Sequence, residues 1–408
     1  MISKIKDPLY KNSIFLMLSS VMGAGTGFVF WVLAAKIYPA EAVGLSSAMV
    51  SAMRLICILS MLGLNIAVVR FIPESDDEVA LINSSMLVVL LTSLLLSTAF
   101  VLSIDFLAPS LKILSSGITP ILFVVFTVMI SVSNFVGQGV FVAFRRAEYT
   151  FVQSVASLLR LVLLPLLISL GALGVFVSFG SGMIVAFVLA MFLILRLVPY
   201  ELRFTKAVKS LIGYAFGVYI ARIFEMLPSL LLPIIVLNVL GAKMNAYFFI
   251  AWSVMFFTTM IARNTAMSLL AEGSHDRARL KDKAVGSLKF VFVLLFLAVG
   301  IVYVFGGSIL RFFGKGYAEN ALSLLRILVI GCIPYSFNVI YAYSMMVVKN
   351  LRRVVAIYGG IAITTIVTGY ALMLKFGLIG VGYAWVLANM LVSFGITLGI
   401  VSSKRATT

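Results

Sequence analysis

Residues 42–72 read AVGLSSAMVSAMRLICILSMLGLNIAVVRFI, a long apolar run that decides the fold because it also contains Arg54. A run of about 20 apolar residues can cross a bilayer as a helix. A charged side chain within the hydrocarbon costs roughly 2.5–3.5 kcal/mol on insertion scales, and it usually faces a bundle interior or a wet cavity. The stretch therefore predicts a membrane helix that presents a cation to an interior cavity.

The same pattern recurs along the whole chain. Of its 408 residues, 62% are hydrophobic and 11% are charged, a composition that excludes a soluble domain of this length. Runs of about 20 apolar residues predict twelve spans, at 12–37, 42–72, 79–104, 118–143, 149–170, 174–195, 207–238, 242–270, 285–310, 321–348, 353–374 and 379–401. The predicted fold class is an all-α polytopic membrane protein.

The basic residues outside the spans give an orientation. With the N-terminus inside and the spans alternating, most lysines and arginines of the connections fall on the inner side, as the positive-inside rule requires of a cytoplasmic face. We expect a multi-pass protein of the cell (inner) membrane with both termini cytoplasmic. The net charge of +17 is attributed to this bias and to contact with anionic membrane lipids, so no nucleic-acid partner is expected.

A basic linker divides the chain nearly in half. Residues 197–206 connect spans six and seven and contain Pro199, Arg203 and Lys206. The long helices before Pro73 and Glu272 give a faint echo at an offset of about two hundred residues, as parallel repeats do. The sequence predicts two six-helix lobes, residues 1–200 and 201–408, around a central cavity with the site at their interface.

Two predicted helices carry polar stripes on otherwise apolar surfaces. In span two, at 100° per residue, the polar stripe falls within about 60° and comprises Ser47, Ser51, Arg54 and Asn65. In span eight the stripe comprises Asn245, Trp252, Thr259 and Arg263. We expect both stripes to line the cavity and both arginines to bind substrate. The alternative is that each arginine bonds to backbone carbonyls or extends to the interface.

Span seven carries Arg222 and Glu225, three residues apart and therefore on one face, where they can pair. The same helix contains Pro228 and Pro233, which favour a bend. The pair is interpreted either as a gate or hinge or as a structural bridge between helices. Glu225 is the one acidic residue predicted within a span, so it is the candidate for ion coupling, and Arg222 is a further candidate for substrate binding.

Two more arginines lie in apolar runs. Arg160 is at the middle of span five with Gln153 and Ser157 on the same side, and it is either a further substrate ligand or a buried polar lock. Arg326 lies near the outer end of span ten, where it can reach water.

Signatures of enzymes are missing from the sequence. His275 lies in a charged loop, while Cys57 and Cys332 lie in apolar runs without metal or redox spacing. No Walker-type glycine loop or aspartate cluster is present. We expect no catalytic residues, no metal and no cofactor.

Five motifs, in this order, resemble the polysaccharide-exporter branch of the multidrug/oligosaccharidyl-lipid/polysaccharide flippase superfamily over nearly the whole chain. They are NSIFLML from Asn12, GFVFWVLAAKIYPAEAVG from Gly27, LLPIIVLNVLGAKMNAYFFIA from Leu231, SLLAEGSHD from Ser268 and FFGKGYAENALSLLRIL from Phe312.

The resemblance implies a flippase that moves a polyprenyl-phosphate- or pyrophosphate-linked oligosaccharide to the outer leaflet by alternating access. It also implies work alongside glycan polymerases or glycosyltransferases, and it puts Arg54 and Arg263 where related flippases have cavity cations. A cation-coupled multidrug antiporter of the same superfamily is the alternative, although span one lacks the acidic residue that such antiporters commonly use. An integral-membrane glycan ligase or polymerase and a non-catalytic scaffold remain as further alternatives.

Overall fold

The computed structural model describes residues 8–72, 75–198, 201, 205, 208–275 and 277–405. Within these residues the backbone is helical and contains no strand. The helices of the first part are α1 (Pro8–Ile37), α2 (Ala40–Ser60), α3 (Leu64–Phe71), α4 (Glu78–Leu102), α5 (Ile104–Leu107), α6 (Thr119–Phe135), α7 (Phe141–Ala143), α8 (Ala147–Ala156), α9 (Leu159–Leu166) and α10 (Ala172–Ile194). The helices of the second part are α11 (Val208–Leu240), α12 (Ala242–His275), α13 (Leu280–Arg311), α14 (Lys315–Val347), α15 (Leu351–Phe376) and α16 (Ile379–Arg405).

The all-α polytopic fold is confirmed. Among the described residues, twelve helical stretches are long and apolar enough to cross a membrane, and each overlaps one of the predicted spans. Polar side chains within them bond back to their own helix, as when Ser97 Oγ donates to the Ser93 carbonyl at 2.6 Å. Such internal satisfaction is what a solvent without hydrogen-bonding groups demands.

Span two is not one continuous helix, so that prediction is wrong. It divides into α2 and α3 because Leu62 and Gly63 adopt positive φ values of 48° and 76°. The Tyr219 hydroxyl donates to the Leu59 carbonyl at 2.7 Å, which satisfies a carbonyl that the helix end leaves without an intrahelical partner. Span five is also divided, into α8 and α9, but by a turn at Ser157 and Leu158 whose φ values are negative.

The chain forms two compact units, Met1–Tyr219 and Ile220–Thr408. The boundary between them falls inside α11, and the predicted lobe boundary after residue 200 stays a prediction. In the first unit α10 packs against α2, α6, α8 and α9. Hydrogen bonds from small polar residues join α2 to its neighbours: Ser60 Oγ lies 3.2 Å from Ser131 Oγ, and Thr92 Oγ1 donates to the Ser60 carbonyl at 2.8 Å.

The second unit is held by apolar packing and by one polar network. Helix α14 packs against α12, α13 and α16, and α15 packs against α16. Asn338 Nδ2 on α14 donates to the Asn389 carbonyl on α16 at 2.9 Å, and Ser393 Oγ donates to Asn338 Oδ1 at 2.8 Å. Asn389 Nδ2 donates in turn to the Trp385 carbonyl at 2.9 Å. These bonds fix the register between α14 and α16, and with it the position of Trp385.

Candidate functional site

Two arginines of the first unit face the same aromatic ring. The guanidinium carbon of Arg54 on α2 lies 5.4 Å from the ring centroid of Phe179 on α10. The guanidinium carbon of Arg160 on α9 lies 5.3 Å from the same centroid and 5.8 Å from that of Phe30. Cation–π attraction holds a guanidinium at such distances. The fold therefore brings together two candidate cations that are more than a hundred residues apart in sequence.

The two guanidiniums differ in exposure but share a lack of acceptors. Arg160 is 3% exposed, whereas Arg54 is exposed. A side chain at Gly182 would press on Arg160 Cβ at 3.1 Å, so this glycine is what allows α9 to approach α10. Neither guanidinium has a hydrogen bond or an ion pair with any residue that the structure describes, and Arg160 Nε is buried without a partner among them.

Two unneutralised guanidiniums around one ring favour an anion. They repel each other, and a buried ionic donor without an acceptor is destabilising by more than an ordinary lost hydrogen bond. Guanidinium groups match the oxygens of phosphate and carboxylate through paired hydrogen bonds. The charge and donors of these two guanidiniums are chemically suited to an anionic group.

The other polar residues predicted for span two lie elsewhere. Ser47 and Ser51 are buried on α2, and Ser47 Oγ donates to the Gly44 carbonyl at 2.9 Å. Asn65 is partly buried on α3, beyond the helix break, so the predicted stripe does not run continuously from Ser47 to Asn65. Their role in lining a cavity stays a prediction.

In the second unit a single carboxylate joins two arginines. Glu225 Oε2 on α11 lies 2.8 Å from Arg222 Nη1 of the same helix, and Glu225 Oε1 lies 2.9 Å from Arg263 Nη2 on α12. The Glu225 side chain is 7% exposed, compared with 46% for Arg222 and 18% for Arg263. Pairing is what makes such burial tolerable, because an isolated ion would be left uncompensated.

A small cavity of about 40 Å³ lies beside this ion cluster. Among the residues that line it are Glu225 and three members of the predicted span-eight stripe, namely Trp252, Thr259 and Arg263. The fourth member, Asn245, is fully buried. The structure thus gathers most of that stripe with Glu225 at one place, while Arg54 and Arg160 belong to the other unit.

Three aromatic residues of this cavity that carry a polar atom were not predicted from the sequence: Tyr335, Tyr358 and Trp385. The Trp385 ring lies 5.2 Å from the Trp252 ring and 5.4 Å from the Tyr335 ring. Its indole nitrogen faces Gly331, where a Cβ would lie only 2.6 Å away. Aromatic residues are so frequent in membrane spans that type and position alone gave no signal for these three.

Arg326 is accounted for by its local contacts. Its Nε donates to the Tyr303 carbonyl at 3.2 Å, and its guanidinium lies 4.9 Å from the Tyr303 ring. The expectation that Arg326 reaches water stays a prediction, and the structure gives its guanidinium a backbone carbonyl as an acceptor.

Comparison with known proteins identifies the family. Residues 9–242 match the model of a family described as "Polysaccharide biosynthesis protein". The chain belongs to this polysaccharide biosynthesis family. No individual curated protein matches it significantly.

Solved structures similar to this family member share its fold. An inward-facing multidrug resistance MATE family transporter of the MOP superfamily has a TM-score of 0.72 at 16% identity, with 96% of each chain covered. The lipid II flippase MurJ, in an inward closed conformation, has a TM-score of 0.74 at 16% identity over 95% of this chain and 87% of MurJ. A MOP superfamily transporter from Pyrococcus furiosus has a TM-score of 0.62 at 16% identity over 98% of this chain and 96% of that one.

The predicted relationship to the flippase superfamily is confirmed. The family assignment shows a polysaccharide biosynthesis protein, the twelve membrane-capable helices make it a multi-pass membrane protein, and its fold is the one found in transporters of the MOP superfamily. At these identities the solved structures establish the fold alone, so the substrate has to be argued from the residues.

Proposed function

We propose that the protein flips a polyprenyl-phosphate- or pyrophosphate-linked oligosaccharide from the cytoplasmic to the outer leaflet of the cell membrane for cell-surface polysaccharide synthesis. Alternating access moves the head group, and both termini are cytoplasmic. Anionic membrane lipids surround the basic connections, and glycosyltransferases and glycan polymerases act before and after this step.

The observation that carries this proposal is the pair of guanidiniums on the Phe179 ring. A transporter of cationic drugs has no use for two positive charges that lack acceptors within the described part of the chain. A phosphate group supplies the acceptors, and charge-assisted hydrogen bonds are roughly twice as strong as neutral ones. Arg54 is exposed and contacts the phosphate first. Arg160 is buried, keeps its cation–π contact with the Phe179 ring and adds its positive charge.

The experiment is translocation in proteoliposomes. A fluorescent polyprenyl-diphosphate-linked oligosaccharide is placed in one leaflet, and its appearance in the other is followed by protection from an impermeant quencher. We expect Arg54→Ala to lower the initial rate about tenfold or more, because it removes a charge-assisted contact worth about 1.5–3 kcal/mol, and Arg160→Ala to lower it as well, because it removes the second positive charge at the Phe179 ring.

Arg326→Ala is the matched control, since it also removes an arginine from a span but one whose guanidinium bonds to a backbone carbonyl. Its rate should stay within about twofold of the wild type. Unchanged translocation by both Arg54→Ala and Arg160→Ala, in protein that is normally inserted, would contradict the proposal.

The multidrug antiporter alternative makes a different demand on Glu225. There, the carboxylate would bind a coupling cation, and Glu225→Gln would abolish the efflux of cationic compounds. In the present structure both Glu225 oxygens lie within 3 Å of arginine nitrogens, a setting that disfavours a second cation. Efflux of a cationic dye by the wild type, lost in Glu225→Gln, would support the antiporter.

A further inference from the structure

Glu225 makes the contacts that a substrate phosphate would make. A carboxylate on a guanidinium uses the same paired N–H donors as a phosphate on a guanidinium. Glu225 Oε2 accepts a hydrogen bond from Arg222 Nη1 at 2.8 Å, whereas Oε1 forms an ion pair with Arg263 Nη2 at 2.9 Å that lacks hydrogen-bond geometry. The second unit thus has two cations and one anion in a small cluster, whereas the first unit leaves its two guanidiniums unpaired.

The carboxylate has an alternative place to go. The adjoining cavity of about 40 Å³ exceeds the volume that a water molecule needs, and its walls are partly polar. The Tyr358 hydroxyl belongs to a residue of this wall that is 2% exposed, and it has no hydrogen-bond partner among the described residues. An unpaired buried hydroxyl is destabilising, so a carboxylate that turned towards the cavity would satisfy it directly or through water.

We propose that the second unit contains a masked anion site. Arg222 and Arg263 bind a phosphate-class anion once Glu225 leaves them and turns towards Tyr358. In the empty transporter Glu225 is an internal competitor that occupies the two arginines. The choice of phosphate as the displacing anion rests on the proposed function, but the mask itself rests on the contacts of Glu225.

The mask explains why these arginines are tolerated in an apolar setting. Two unpaired cations within lipid would be costly, and a buried partner removes most of that cost. The same partner lowers the affinity for substrate, because an entering anion has to displace a carboxylate that is already bound. Removing the negative charge should therefore tighten anion binding, the opposite of what is expected for a structural bridge or a coupling site.

The test measures binding of inorganic pyrophosphate, and of a short prenyl diphosphate, to the purified full-length protein by titration calorimetry. Arg54→Gln is introduced throughout so that the first unit contributes little. In this background Glu225→Gln should bind both probes about tenfold more tightly, and adding Arg263→Gln should abolish the gain. Tyr358→Phe removes only the hydroxyl towards which Glu225 turns. In the Arg54→Gln protein that keeps Glu225, it should weaken binding of both probes about threefold.

Glu319→Gln is the matched control, because its carboxylate pairs with Lys315 at 3.8 Å on an exposed surface. It should leave both affinities unchanged. Equal or weaker binding by Glu225→Gln, in protein that unfolds at the wild-type temperature, would overturn the proposal. If Glu225→Gln unfolds early, a gain in affinity at a temperature where it is folded still supports the mask, and a loss there still overturns it.

The outcome is separable from that of the proposed function. A wild type that translocates the lipid-linked glycan while Glu225→Gln gains no affinity rejects the mask and leaves the flippase intact. A wild type that fails to translocate while Glu225→Gln binds pyrophosphate more tightly rejects the flippase and leaves the masked site intact.

Discussion

Phe179 is the residue on which the proposed anion site of the first unit depends. Its ring is fully buried, and it faces the guanidiniums of both Arg54 and Arg160 at nearly equal distances. A ring offers a negative face to a cation, so it partly compensates charges that have no anionic partner in the described residues. In the proposed site, the ring therefore holds the two guanidiniums in place for the anion.

Phe179→Leu is expected to weaken binding of pyrophosphate severalfold and to lower stability by about 1–3 kcal/mol, since it removes two cation–π contacts and some buried volume. Phe123→Leu is the control: that ring is also fully buried but stacks on Phe100 and Phe176 rather than on a cation. Thermal unfolding should shift in both variants. Equal pyrophosphate affinities for the two variants would contradict the role given to Phe179.

Sequence alone could find the charged members of these sites but not their partners. Arg54, Arg160 and Arg263 stand out because a charge in an apolar run needs a reason. The spacing of three predicted the pair of Arg222 with Glu225. The contact between Glu225 and Arg263 joins two helices, and the role of Phe179 distinguishes one phenylalanine among 32. Both facts depend on tertiary packing, which local periodicity does not contain.

At the scale of elements, the break between α2 and α3 is the main departure from expectation. Periodicity predicts where a helix continues to bury its apolar face, and residues 42–72 are predominantly apolar and contain no proline. The break comes from a backbone conformation that suits glycine and from a close neighbour. A Cβ on Gly63 would lie 2.9 Å from Ala215 Cβ and 3.1 Å from Tyr219 Cβ. Neither condition is visible in the hydrophobic pattern.

Gly63→Ala should lower the thermal stability markedly, because it combines a left-handed φ of 76° with steric overlap. Gly117→Ala separates the two effects: Gly117 has a φ of 58°, and a Cβ added there would meet nothing within 4 Å, so the substitution should cost only about 1 kcal/mol. Unfolding followed by an environment-sensitive dye measures both. A Gly63→Ala protein as stable as Gly117→Ala would show that the contact with α11 is not tight.

At the scale of the whole molecule, charge is distributed unequally between the two units. The spans of the first unit carry two arginines without acceptors among the described residues, whereas the two arginines of the second unit's cluster share one carboxylate, that of Glu225. The composition predicted a cationic membrane protein. The twelve spans could be located in the sequence because apolar runs of this length are typical of membrane-spanning helices. The sequence could not predict the unequal distribution of charge between the two units, since it depends on which helices pack against each other.

The proposed orientation makes a prediction for labelling in cells. Cys57 and Cys332 are buried, so they should react poorly with an impermeant maleimide and permit single added cysteines. Lys112→Cys should label in intact cells, because we place Lys112 on the outer side. Lys281→Cys should label only after permeabilisation, and the reverse pattern would invert the topology.

The ion cluster of Glu225 also has a consequence for how the chain is made. A ribosome completes α11 before α12, so Arg222 and Glu225 reach the lipid together, already spaced to neutralise each other. Arg263 enters the membrane later, when the carboxylate of Glu225 is already there to pair with it. The helix that inserts first, α11, therefore already carries the carboxylate that pairs with the arginine of the helix that follows, α12. The order of synthesis in this way avoids leaving the charge of Arg263 unpaired in the lipid.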